Sequence, residues 1–190
     1  LTTAKAYAKA LDMVSDREMK AFIIRQLQFL GKEESIPVLT KYLSQENLAG
    51  PATRALVAIN SDKADLALTE ALKNTKSNVT IQKDIVLAIA EADASGAEQA
   101  IKDLLNSPDE NTRKVALYAL SQIGSVGSLS TLGDLAANSG YSMEKTGANE
   151  AYIALIKKLA NQGDTKVAES AASDLMTKAT KAGKTQTRDA

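Results

Sequence analysis

The tripeptide Gly183-Lys184-Thr185 has the composition of a phosphate-binding loop, whose backbone amides and lysine would cradle a nucleotide. That motif needs its first glycine at position 178, where Lys178 stands, and no strand leads into it. Gly124-Ser125-Val126-Gly127-Ser128 is too short for a dinucleotide fingerprint and falls where a turn between paired helices requires flexibility. No Gly-x-Ser-x-Gly elbow offers a hydrolase nucleophile. Histidine and cysteine are both absent, which removes zinc sites of the usual kind, nucleophiles activated by imidazole, and disulfides. Carboxylate, lysine and tyrosine chemistry remain. Acid catalysis by paired carboxylates needs a fixed separation in a cleft that can perturb a pKa. The acids here are mostly spread one per repeat of the pattern described below, and the adjacent Glu33-Glu34 suits the first turn of a helix. Tyr7, Tyr42, Tyr118, Tyr141 and Tyr152 are scattered and read as packing residues. Asn78-Val79-Thr80 meets the glycosylation pattern, which is common by chance, and is assigned no role. The sequence therefore points to no catalytic residue, no cofactor and no metal.

The elements beneath these residues are helical. Hydrophobic residues make up 44% of the chain, enough for a core, yet aromatics are only 4%, so the core must be built from Ala, Leu, Ile and Val packed between helices. Lys plus Arg and Asp plus Glu both total 23, which cancels the long-range field that would draw the molecule to a nucleic acid or an anionic membrane. No apolar run reaches the length needed to span a bilayer as a helix.

A unit recurs along the chain. Its marker is two core residues, two polar residues and two core residues: Val38-Leu39-x-x-Tyr42-Leu43, Ala67-Leu68-x-x-Ala71-Leu72, Ala100-Ile101-x-x-Leu104-Leu105, Thr131-Leu132-x-x-Leu135-Ala136, and an irregular fifth copy, Ala171-Ala172-x-x-Leu175-Met176. Twelve positions before the end of each of the first four stands a turn residue, Gly31, Asn60, Asp93 or Gly124. Ahead of that turn, a first helix aligns Leu27, Leu56, Ile89 and Leu120 in one apolar column and Leu30, Ile59, Ala92 and Ile123 in another. The unit is a helical hairpin with steps of 29, 33 and 31 residues, and such short helices need their neighbours for stability.

The pattern predicts one cooperative domain over residues 1–176, with hairpins at 16–47, 48–78, 79–110, 111–140 and 141–176. Residues 1–14 read as a lone second helix, because Ala6, Tyr7 and Ala10 fall where Val38, Leu39 and Tyr42 fall, and the chain reads as a fragment of a larger protein. Residues 137–150 form a longer connection. Residues 177–190, ending in KAGKTQTRDA, read as a polar, disordered tail.

The fourth unit, PDENTRKVALYALSQIGSVGSLSTLGDLA, with Asp109, Arg113, Ala116, Ala119-Leu120 and Gly124, resembles the HEAT-like repeats first described around phycobilisome lyases. The other units keep the apolar frame but mostly lack the arginine. The resemblance implies an all-α fold, a right-handed α-α superhelix (a HEAT/armadillo-like solenoid) of about five helical hairpins. The segment IIRQLQFLGKEESIPVLTKYLSQENLAGPATRAL is similar to HEAT-like regions of secreted Bacteroidetes-type proteins that carry a DUF1080 or 3-keto-glycoside hydrolase domain. That likeness implies a cell-envelope or secreted setting, with catalysis on another domain.

The expected function is a non-catalytic scaffold for protein–protein or inter-domain interaction, its partner a protein or a neighbouring domain, with no nucleic acid. Two alternatives stay open: an accessory wall of a carbohydrate-active enzyme, and a HEAT-like nucleic-acid-binding module. Positions two, three, six and seven before the end of each marker should be exposed. On that face of the second helices lie Asp65, Glu70, Glu98, Asp103, Asp134, Glu169 and Asp174, against Lys41 and Lys102. The first helices carry Lys20, Arg25, Arg54, Lys83, Arg113, Lys114, Lys157 and Lys158. In solenoids of this kind the second helices line the concave surface, so the resemblance implies an acidic inner face that binds a basic or polar protein surface.

Overall fold

A computed structural model describes residues 3–75, 78–143 and 147–190, and among them every regular element is helical. The chain divides into two compact units, 1–100 and 101–190. The first contains α1 (Thr3–Met13), α2 (Arg17–Leu30), the short α3 (Ile36–Thr40), α4 (Ala49–Ile59), α5 (Asp62–Asn74), α6 (Val79–Glu91) and the start of α7 (Glu98–Leu104). The second continues with α8 (Glu110–Ile123), α9 (Leu129–Asn138), α10 (Ala148–Gln162), α11 (Thr165–Lys181) and α12 (Thr185–Asp189).

Within the first unit α2 packs on α4 and α4 on α6, while α3 packs on α5. First helices thus stack on first helices and second on second, the arrangement of an α-solenoid. In the second unit α10 is the central element, touching α8, α9 and α11, with α12 against α11. One column of the template is buried in both units: Leu27, Leu56 and Ile89 in the first and Leu120 in the second are all fully buried. Each such side chain contributes about 1.5–3 kcal/mol through burial. The neighbouring column holds less well. Ile123 is buried, but Leu30 is 42% exposed, because it sits on the last residue of α2 at the edge of its buried stripe.

The helix starts are written in capping residues. Asp16, Asn78 and Asp109 accept backbone N–H groups from Met19, Ile81 and Thr112 at 2.8, 3.0 and 2.7 Å. Asn78 is therefore a cap of α6. The four turn residues close their helices in two different ways. Asn60 and Asp93 adopt the left-handed conformation, with φ of 49° and 51°. Gly31 and Gly124 do not; their backbone is extended, and glycine is needed because an added Cβ would run into the carbonyl oxygen of Leu27 or Leu120.

Two expectations are corrected. The tail is structured: α11 runs on to Lys181, Gly183 ends it with φ 70°, and α12 follows, with Thr187 only 2% exposed. Its anchor is a hydroxyl satisfied by hydrogen bonds, so the segment reads as polar while being packed. Tyr118 is not a packing residue, since it points outward from α8 at 52% exposure, whereas Tyr42 and Tyr152 are buried. The middle of the expected long connection, residues 144–146, and Leu1 at the start of the lone-helix segment lie outside the described residues.

Candidate interaction surface

The seven acidic residues fall into two columns of the second helices. Glu70, Asp103, Asp134 and Asp174 stand two positions before the end of each marker, and Asp65, Glu98 and Glu169 stand seven before it. On α5, Asp65 is half-buried and its carboxyl is held above the ordinary carboxylate range, first by burial and then by the negative charges of Asp62 and Asp93. Glu70 is exposed and pairs with Lys73 at 2.7 Å. Glu98, half-buried, and Asp103, exposed, both lie on α7. Asp134 is exposed on α9, and Glu169 and Asp174 are exposed on α11, where Asp174 pairs with Lys178 at 2.7 Å.

The structure brings two of the seven together. Asp134 and Asp174 line one groove of about 190 Å³, with Leu129, Gly133, Tyr141, Tyr152 and Lys178. α9 and α11 form its flanks, and α10, packed against both, supplies Tyr152 as the floor. Glu169 stays outside it. Tyr152 fits because residue 133 is glycine: an added Cβ there would stand 3.3 Å from Tyr152 Cζ and 3.4 Å from its hydroxyl oxygen. The phenol is 7% exposed, and no hydrogen bond engages its hydroxyl among the described residues. Burial pushes its pKa up, as do Asp174, Tyr141 and Asp134, while Lys178 pulls it down.

Tyr141, at the end of the groove, holds a left-handed backbone, φ 58°, which costs an ordinary residue about 1–2 kcal/mol. Its N–H donates to the Ala136 carbonyl at 2.9 Å, and its carbonyl accepts the Thr187 hydroxyl at 2.6 Å. The buried Asn149 amide donates to the same Thr187 oxygen at 2.7 Å. The tail thus fixes the backbone that carries one groove wall.

Several cations of the first helices have structural work. Arg113 donates to the carbonyls of Ser107 and Pro108 at 2.7 and 3.0 Å and so holds the loop before α8. Lys158 donates to the Gly124 carbonyl at 3.1 Å, Lys114 pairs with Glu110 at 2.8 Å, and Lys20 lies 5.7 Å from the centre of the Tyr42 ring. Among the described residues no group of three or more acidic side chains could hold a metal ion, and no helix is long and apolar enough to cross a membrane.

Sequence reasoning missed Gly133, Tyr141, Tyr152, Asn149 and Thr187 as parts of a site. Gly133 was the detectable signal. A glycine inside a helix costs about 1 kcal/mol relative to alanine, so its presence asks for a neighbour that needs the space.

Residues 66–153 match the family described as HEAT repeats. The chain is also similar in structure to an engineered protein whose crystal structure comes from the Northeast Structural Genomics Consortium, with a TM-score of 0.51 and 22% identity over 98% of this chain and 87% of that one, which shows the fold alone. Comparison with curated proteins finds no match. Residues 66–153 are thus similar to HEAT repeats, and the fold is all-helical and of the α-solenoid class.

Proposed function

We propose that this chain is a non-catalytic scaffold that binds a protein, or a neighbouring domain of the same polypeptide, through the exposed faces of its second helices. The observation that carries this reading is the column Glu70, Asp103, Asp134 and Asp174, one carboxylate per repeat at one place in the template, each exposed to solvent. In repeat proteins, positions that recur in the template are the ones commonly used for binding. The HEAT-repeat match over residues 66–153 supports an interaction role. A basic or polar protein surface is the complementary partner, and a nucleic acid, with its own negative charge, is not.

The finer likeness, to HEAT-like regions beside a DUF1080 or 3-keto-glycoside hydrolase domain, would make the stack a platform or substrate wall for such a domain. On that reading, too, the chemistry lies on another domain.

The test replaces Glu70, Asp103 and Asp134 together by Lys and measures affinity for a partner recovered by pull-down with the full chain. Binding should weaken strongly, and wild-type binding should fall as salt rises. Unchanged affinity in a folded triple variant would remove the acidic column as the binding surface.

A further inference from the structure

From the groove between α9 and α11 we infer a subsite for one guanidinium side chain, an arginine of the partner polypeptide. The inference rests on the interaction reading above and names where and how one anchor residue would seat.

The groove holds two carboxylates, Asp134 and Asp174, and one ammonium, Lys178, which is already on Asp174 at 2.7 Å. One negative charge is therefore left over, and Asp134 makes no ion pair among the described residues. A monocation neutralises the groove, whereas an anion would meet the Asp134 carboxylate. The second observation is independent of the charges. The Tyr152 hydroxyl borders the groove, its side chain is more than nine-tenths buried, and no hydrogen bond engages it among the described residues. The ring is packed away while the oxygen is reached from the groove, so a lone pair is open to a donor that enters it. A ligand that carries several N–H donors and no acceptor can give one to the Tyr152 oxygen and others to Asp134, and guanidinium is that ligand.

Shape agrees with this chemistry. Tyr152 packs against Gly133, and Tyr141 also lines the groove, so a planar cation has aromatic surface as well as carboxylate acceptors. A volume of about 190 Å³ accommodates a side chain and excludes a folded element. Leu129 and Ala137 line the groove and supply contact for the methylene stem. An ammonium would satisfy the charge but lacks the planar fork that presents several N–H donors in fixed directions to separate oxygens.

The experiment titrates the full chain with Nα-acetyl-arginine methylamide and, separately, with its neutral counterpart Nα-acetyl-citrulline methylamide, following backbone amides by NMR. The arginine amide should shift Gly133, Ala137 and Tyr152 saturably, and the citrulline amide should bind at least about fivefold more weakly, the scale of one half-exposed ion pair. Asp134→Asn should weaken arginine binding by a similar factor, Tyr152→Phe should weaken it less, and Glu46→Gln, an exposed carboxylate outside the acidic face, should leave it unchanged. Equal shifts from the two probes, or arginine binding untouched by Asp134→Asn, would overturn the subsite. Asp174→Asn serves as a second variant if Asp134→Asn disturbs the fold. Failure here is distinct from failure of the scaffold reading. A pull-down partner lost from the triple lysine variant but held at full affinity by Asp134→Asn and Tyr152→Phe overturns the subsite and leaves the acidic column standing.

Discussion

α5 and α9 occupy the same place in the repeat template, and they are not the same surface. Thr69 and Gly133 are equivalent positions, as are Glu70 and Asp134. On α5 the Thr69 side chain is buried and its hydroxyl turns back to the Asp65 carbonyl at 2.8 Å, while Glu70 is neutralised by Lys73 from its own helix. On α9 the missing side chain at Gly133 lets Tyr152 rise into the space, and Asp134 faces a groove rather than a helical neighbour. The template fixes the apolar columns and leaves the outward positions free, and at the position of Thr69 the glycine of α9 leaves room for the Tyr152 ring of the neighbouring helix.

The largest effect tests what the two regions share. Leu56 and Leu120 fill the same inner column and both are fully buried. Truncation of either to Ala should cost about 2–5 kcal/mol through lost burial and a cavity, read from urea unfolding. If the two units unfold as one cooperative array, both variants shift a single transition by similar amounts. A loss at one site and none at the other would break the equivalence on which the alignment rests.

A middle-sized effect tests what divides them. Gly133→Thr installs the α5 residue on α9, where its Cβ would stand 3.3 Å from the Tyr152 ring, with further atoms beyond it. Overpacking of this kind should cost about 1–3 kcal/mol in thermal or urea unfolding. The reverse change, Thr69→Gly, should cost about 1 kcal/mol, chiefly as a glycine inside a helix. If Gly133→Thr is instead stabilising, the groove yields freely and the contrast is weaker than the contacts imply.

The smallest effect concerns charge on α5. The Asp65 carboxyl is held above its unfolded value, by burial first and then by Asp62 and Asp93. Folding therefore favours its protonated form. That stabilising contribution is fully present below the unfolded pKa of about 3.9 and is lost as pH rises through the folded value. Asp65→Asn should raise the melting temperature at pH 7 relative to wild type, with the gain disappearing near pH 3. A difference that does not change with pH would show that the carboxyl is not strained in the folded state.

The fold was legible because its signal is periodic. The column Leu27, Leu56, Ile89 and Leu120 repeats at a fixed distance from a turn residue, and every member is buried. Composition then rules out competing fold classes. The turns were legible as positions but not as mechanisms: nothing local distinguishes Gly31, needed for a close approach to a carbonyl, from a glycine needed for left-handed backbone. The groove was half legible. Asp134 and Asp174 follow from their shared column, but Tyr152 belongs to a first helix that fits the template poorly, and its nearness to Gly133 depends on how α10 packs between α9 and α11. Least legible was the tail. Apolar periodicity cannot report a packing contact made by a threonine hydroxyl, and the Thr187–Tyr141 and Thr187–Asn149 hydrogen bonds span 46 and 38 residues.

That threonine sets how the end of the chain should behave in the laboratory. Chain ends ordinarily fray, exchange their amide hydrogens quickly and give way first to proteases. Here the Lys184 amide is bonded to the Ala179 carbonyl and the Arg188 amide to that of Lys184, at 2.8 and 3.1 Å, around a buried anchor. Exchange at Arg188 should therefore be slowed relative to an unfolded terminus. Trimming the sequence back to the last repeat marker, the natural choice for anyone preparing a shorter form, would cut inside α11, uncap Asn149 and release the backbone of Tyr141. An affinity lost on such trimming would then report damage to the groove, not a binding motif within the tail.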